Sequence, residues 1–297
     1  MNAVFLSIIG AFCFGFNGIF GRRAVMHVSD AALGIMITVP LAVPFLMIIL
    51  IFTGQIGSVL SFSWQSYLWL SAAGLSTYIL GRSLNLESLQ LIGANETAIL
   101  ARVEPLVSVI LGICVLGEAV TWDLVVGVLL IVFGIMLVGV NPQMFRSGKS
   151  MFSGIPRRAY IYGIGAGLVR GINPILVKMG LSGSGSPVAG AFISFSAATI
   201  ILSVTLLNSK RRVALAGMKG IAVIFFILVG LCSSIANLVR YLALDIAPVS
   251  LVAPIFALAP AFVLILSFFF NRNLEVFNKN VIIGLVAAVV GTILLVK

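Results

Sequence analysis

Apolar residues along this chain fall into ten long runs separated by short polar breaks. The runs lie near Val4–Phe20, Ala31–Phe52, Ser66–Leu86, Ala94–Leu116, Leu124–Val140, Ala159–Val177, Val188–Leu207, Ile221–Leu244, Val249–Phe270 and Val281–Val296. Most approach the roughly 20 residues that a helix needs to cross a bilayer. The breaks carry the expected turn residues, such as Thr53-Gly54, the Ser/Gly stretch before Pro187, and Ala247-Pro248. This pattern predicts an all-α integral membrane protein with ten transmembrane helices. The longest polar stretch, Asn141–Arg158, falls where five runs end and five begin.

The two sets of five are copies of each other. With Pro105 aligned to Pro260, Arg82 falls opposite Asn237 and Asn85 opposite Arg240. A two-residue insertion then brings Glu118 opposite Glu275, Gly127 opposite Gly284 and Gly134 opposite Gly291. Near the start of each half, Asn17 matches Asn173 and Arg22 matches Lys178. We therefore divide the chain into a first repeat over 1–140, a linker over 141–158 and a second repeat over 159–297. Five spans per repeat send the second copy into the bilayer upside down, giving two inverted five-helix repeats, an architecture of secondary transporters.

Composition agrees: 61% of residues are hydrophobic and only 9% charged, against about 25% charged in soluble domains. The net charge of +10 would suggest nucleic acid in a soluble protein, but here it reads as a topology signal. Arg22, Arg23, Arg146, Arg157, Arg158, Lys210, Arg272 and Lys279 all sit in the loops after the first, fifth, seventh and ninth runs, and those on the other face carry Glu118, Asp123 and Asp245. The positive-inside rule then puts the linker in the cytoplasm of a cell (inner) membrane protein and both termini outside. The first run lacks a basic leader and reads as a retained helix. Cys13, Cys114 and Cys232 fall inside apolar runs without paired spacing, as small packing residues do. With a single histidine, His27, no metal site or cofactor is expected.

The ten-run arrangement, the stretch from Pro105 to Leu116-Gly117-Glu118 and the glycine-spaced fifth run after it resemble the EamA-type permeases of the drug/metabolite transporter superfamily. The second half departs from the Leu-Gly-Glu pattern at Asn273-Leu274-Glu275. The resemblance implies a central cavity lined by spans one, three, four, six, eight and nine, with five and ten outside. It also implies movement of small metabolites, often amino acids and often outward, without nucleotide hydrolysis.

Charged groups at membrane depth cost about 2.5–3.5 kcal/mol each, so they persist when paired, hydrated or used. Tyr78, Arg82 and Asn85 share one helical face of the third run, and Ser233, Asn237 and Arg240 hold the matching positions in the eighth. Facing arginines suit a carboxylate or phosphate, because a guanidinium binds such groups with two parallel hydrogen bonds. Arg82 and Arg240 also lie near run ends, where snorkelling to the interface is the alternative. The fourth run carries Glu96, Arg102 and Glu104 before Pro105, which predicts a kinked, polar segment and either proton coupling through Glu96 and Glu104 or a structural ion pair. In the sixth run, Arg170 precedes Asn173 and Pro174, predicting another broken helix. The substrate-binding candidates are thus Asn17, Tyr78, Arg82, Arg102, Arg170, Asn173, Asn237 and Arg240. Gly163, Gly167 and Gly171 allow close helix packing, and the glycines of the fifth and tenth runs would join those two helices or two protomers in a homodimer.

No nucleophile–base or metal-ligand motif of an embedded enzyme is present, nor is a phosphate-binding loop for ATP. A channel would show a repeated filter or charge ring. A flippase for a lipid-linked sugar on the same fold is the closer rival, since it would use the same cationic walls. The sequence therefore points to a secondary transporter, expected to be an exporter, of small metabolites such as amino acids or other carboxylate-bearing compounds. The expected partners are this cargo and the bilayer.

Overall fold

A computed structural model of the chain describes residues 2–28, 32–92, 97, 100, 102–139, 157–183, 186–206, 208–218, 220–270 and 279–296. Glu96, Glu275 and the linker up to residue 156 lie outside these. Among the described residues the fold is entirely helical. The first half holds α1 (Ala3–Val25), α2 (Ala32–Thr38), α3 (Ala42–Phe52), α4 (Trp64–Leu75), α5 (Arg82–Ile92), α6 (Val103–Leu116) and α7 (Trp122–Gly139). The second holds α8 (Arg157–Leu181), α9 (Pro187–Thr205), α10 (Ser209–Ala216), α11 (Gly220–Ile246), α12 (Val249–Phe256), α13 (Ala259–Phe270) and α14 (Lys279–Val296). Six stretches among the described residues are long and apolar enough to cross a membrane, and Val103–Leu116, Trp122–Gly134 and Ile283–Leu295 are shorter apolar helices.

Local chemistry sets the helix starts. Asn2 accepts a hydrogen bond from the Val4 amide at 3.1 Å, and Ser63 and Ser186 do the same for the first turns of α4 and α9. Each satisfies an amide that the helix leaves without a partner. At the end of α6, Gly117 turns left-handed at φ 68°, a conformation glycine takes without strain. That turn throws Glu118 against the start of α12. Its carboxylate accepts from the Val249 and Ser250 amides at 2.6 and 2.8 Å. On the other side of the same turn, the Lys178 ammonium donates to the Leu244 and Ala247 carbonyls at 2.6 and 2.9 Å. An anion on a helix N-terminus and a cation on a helix C-terminus both match the helix dipoles, so the α11–α12 turn is clamped from both ends.

The packing pairs are mirrored between the halves. α1 lies against α11, and correspondingly α8 lies against α4 and α5. α1 also meets α12 and α13, as α8 meets α6. α3 meets α9, α6 meets α12, and α7 runs against α14. In that last pair a Cβ on Gly127 would lie 2.8 Å from the Gly291 carbonyl, and one on Gly134 would strike the Gly284 carbonyl. The glycines are consumed within one chain, so any contact between protomers would use other faces of α7 and α14. Leu129 and Phe133 on α7, and Ile283, Val286 and Ile293 on α14, are more than half exposed. An apolar outer surface of that kind needs lipid to cover it.

Three expectations are corrected. The third run is longer than Ser66–Leu86: α4 and α5 join through a π-helical turn, Ser76–Gly81, and continue to Ile92. Pro174 does not break its helix, since α8 runs from Arg157 to Leu181. In the turn that the proline disturbs, the Gly171 carbonyl accepts from Ser108 Oγ at 2.9 Å, which offsets lost ladder bonding. Near Pro105 the irregularity precedes the proline. Arg102 lies in a turn and Pro105 sits in the first turn of α6, where a missing N–H costs nothing. The second half repeats this, with Ala257 and Leu258 interrupting the helix ahead of Pro260.

Candidate functional site

A half-enclosed cavity of about 390 Å³ opens between the halves, within the size range of small-molecule sites. It takes residues from α1, α6, α8, α11, α12 and α13 and from the α4–α5 stretch, and both helix interruptions border it through Arg102 and Ala257. Val132 of α7 reaches it too, against the expectation that the fifth span stays outside. Unwound backbone inside a membrane protein is tolerated where it faces such a cavity.

Four guanidiniums reach the cavity: Arg82, Arg102, Arg170 and Arg240. Glu104, from the first turn of α6, is the acidic residue among them. Its carboxylate pairs with Arg170 Nη2 at 2.7 Å and more loosely with Arg240 Nη2 at 3.6 Å. Arg240 is 6% exposed, and its guanidinium carbon lies 5.4 Å from the centre of the Phe256 ring, close enough for cation–π attraction. The Nε atoms of both Arg170 and Arg240 are buried without a hydrogen-bond partner. Native structures leave few such groups unsatisfied. Arg82 donates from Nη1 to Thr38 Oγ1 at 3.0 Å and from Nη2 to Ser233 Oγ at 3.5 Å. It stands inside the helical stretch from Trp64 to Ile92, and both it and the buried Arg240 face the cavity.

Two further candidates border the cavity. Tyr78 stacks on Phe195 with ring centres 4.2 Å apart, and Asn237 folds back to donate to the Ser233 carbonyl at 2.8 Å. Asn17 and Asn173 are not among the lining residues. The Asn17 amide donates to the Val229 carbonyl at 3.3 Å, tying α1 to α11. The Asn173 amide donates to the Ala73 carbonyl at 2.9 Å, tying α8 to α4. These two asparagines, aligned with each other in sequence, each tie a helix of one half to a helix of the other, away from the cavity. Glu96 lies outside the described residues.

The site also includes residues that sequence reading did not select. Asn85 was read on the same face as Arg82 and does line the cavity, together with Thr77, Ser108, Phe14 and Phe256. Phe14 and Phe256 belong to apolar stripes that look alike in sequence, and only the fold turns these two inward. Thr77 carries a faint signal, since it falls in the π-helical turn, a feature frequent at functional sites.

Among curated proteins none matches the chain. A solved crystal structure of a protein superposes with a TM-score of 0.79 over 98% of this chain and 94% of that one, at 15% sequence identity, which is a likeness of fold. The model of the EamA-like transporter family matches residues 1–140 and 157–297, so both halves and all of the lining residues lie inside the matched region. The chain therefore belongs to the EamA-like transporter family, as a multi-pass membrane protein whose relatives move small molecules.

Proposed function

We propose that this protein is a secondary transporter that exports small metabolites, amino acids or other carboxylate-bearing compounds, by alternating access around the arginine-lined cavity. The observation that carries this reading is the cavity itself, where four guanidiniums meet one carboxylate. Long-lived positive charge inside a membrane protein attracts an anion, and a guanidinium fork matches a carboxylate in shape. Cargo entering the cavity competes with Glu104 for Arg240 and Arg170. The looser contact, to Arg240, yields first. A proton on Glu104 removes its charge and frees both arginines, so cargo binding here is linked to proton uptake by Glu104.

The proposed frame is ten spans in two inverted repeats, the cavity at the midplane. The mirrored packing pairs, the paired Asn17 and Asn173 tethers and the matching interruptions before Pro105 and Pro260 support it. The convergence of Glu118 and Lys178 on one turn supports a shared membrane face for these loops, opposite the basic linker. In the proposed topology that face is extracytoplasmic, the linker is cytoplasmic, and the membrane is the cell (inner) membrane. A homodimer, if formed, uses the outer faces of α7 and α14.

An export screen tests the function. Cells expressing the protein are challenged with toxic loads of amino acids, nucleosides and sugar phosphates, and relief is sought for one class. Relief that disappears in Arg170→Gln and Arg240→Gln, with normal membrane levels, is the expected result. Relief by a cationic compound that both variants retain would overturn the assignment.

A further inference from the structure

The charge count inside the cavity narrows the cargo. Guanidiniums stay protonated in proteins, so Arg82, Arg102, Arg170 and Arg240 stand against Glu104 alone and leave three positive charges among the lining residues. A zwitterionic amino acid adds no net charge. Its carboxylate would find partners, but its ammonium would enter a space crowded by guanidiniums. The carboxylate available to receive that ammonium is held at 2.7 Å by Arg170. The hydrogen-bonding groups left open point the same way. Arg170 Nε and Arg240 Nε are buried donors without partners, and the Arg82 contacts are to neutral hydroxyls, one of them at 3.5 Å. The site offers donors and positive charge in excess, and the one carboxylate among its described lining residues is already paired.

From this excess we infer that the cargo carries two negative charges and no ammonium group: a dicarboxylate or a phosphate monoester. The inference rests on the transporter reading above and refines its substrate class. Two carboxylates, or one doubly charged phosphate, engage the fork of Arg240 together with Arg82, while Glu104 keeps Arg170. Phe14 and Phe256 line the same cavity and give the carbon part of the cargo an apolar wall. Dicarboxylate and phosphate share this chemistry, and the experiment separates them.

Full-length protein in liposomes free of nucleotide is loaded with succinate, glucose 6-phosphate, acetate or phenylalanine, and counterflow of the same labelled compound is followed. The expected result is that succinate or glucose 6-phosphate exchanges at least tenfold faster than acetate and phenylalanine at equal concentration. Arg240→Gln should reduce that exchange at least tenfold, and Arg240→Lys should reduce it less, because the charge survives. Replacing Arg240 could disturb folding, so Arg82→Gln is measured beside it and each variant's melting is recorded; Arg82→Gln should show the same loss of dianion exchange. Phenylalanine or acetate exchanging as fast as both dianions would overturn the charge inference and leave transport intact. Absence of exchange in every arm would overturn the anion-transport reading with it.

Discussion

The side chain of Arg170 crosses the π-helical turn directly over Gly81, where a Cβ would lie only 2.7 Å from Arg170 Cγ and 3.1 Å from the Ser76 carbonyl. Gly81 closes the π-helical turn, so the turn and the arginine fit each other. Gly81→Val should displace Arg170 from Glu104 and lower transport at least tenfold with membrane insertion retained. Gly165→Ala is the control, since a Cβ there meets Leu84 at an ordinary 3.6 Å. Initial rates of flux for the two variants in liposomes check this, and equal losses in both would contradict it.

Glu118 supports the cavity from a distance. It holds the start of α12, whose far end brings Phe256 beneath Arg240. Glu118→Ala strands two helix-start amides and should cost about 2 kcal/mol. A thermal melt in detergent should show a lower Tm, and transport should fall less than in the arginine variants. Lys178→Met should lower the Tm as well, because it removes the cation from the end of α11. Unchanged melting in both variants would show that the turn is held by other contacts.

The paired sequence pattern of the two halves made much of this legible. Pro105 and Pro260, aligned by sequence alone, mark helix interruptions at matching places, each sitting in the first turn of the helix that follows, where its missing N–H leaves no ladder bond unmade. Tyr78, Arg82, Arg170 and Arg240 were recognisable because charge and aromatic hydroxyls are rare at such depth. The Asn17 and Asn173 tethers were not, since an intramembrane asparagine facing a carbonyl reads like one facing cargo. Phe256 was hidden among equivalent phenylalanines. Pro174 misled because a proline's effect depends on whether neighbours such as Ser108 take up the loosened carbonyls.

Arg82 gives a sharper expectation than its sequence position allows. Its hydrogen bonds to Thr38 and Ser233 and its place on the cavity wall make Arg82→Gln expected to match the flux loss of Arg240→Gln. Arg82→Lys should recover part of the rate, because it restores charge without the fork. A full rate in Arg82→Gln would remove Arg82 from the site.

Topology is checked by reporters. One fused after Lys297 should report the extracytoplasmic side, and one inserted near Gly148 the cytoplasm. The exposed Trp64 and Trp122 begin α4 and α7, and both should sit at the same interface as the Lys297 reporter, as an aromatic belt would. The opposite answer from both reporters would reverse the direction of every loop.

The central claim is that the arginines around Glu104 hold the cargo. Its most direct measurement is binding to purified protein of the compound selected by the export screen, followed by calorimetry for the parent, Arg170→Gln and Arg240→Gln. We expect saturable binding by the parent and at least tenfold weaker binding by each variant, with melting of at least one variant unchanged. Parent-like affinity in both variants would contradict the account and make the arginines a structural network around Glu104.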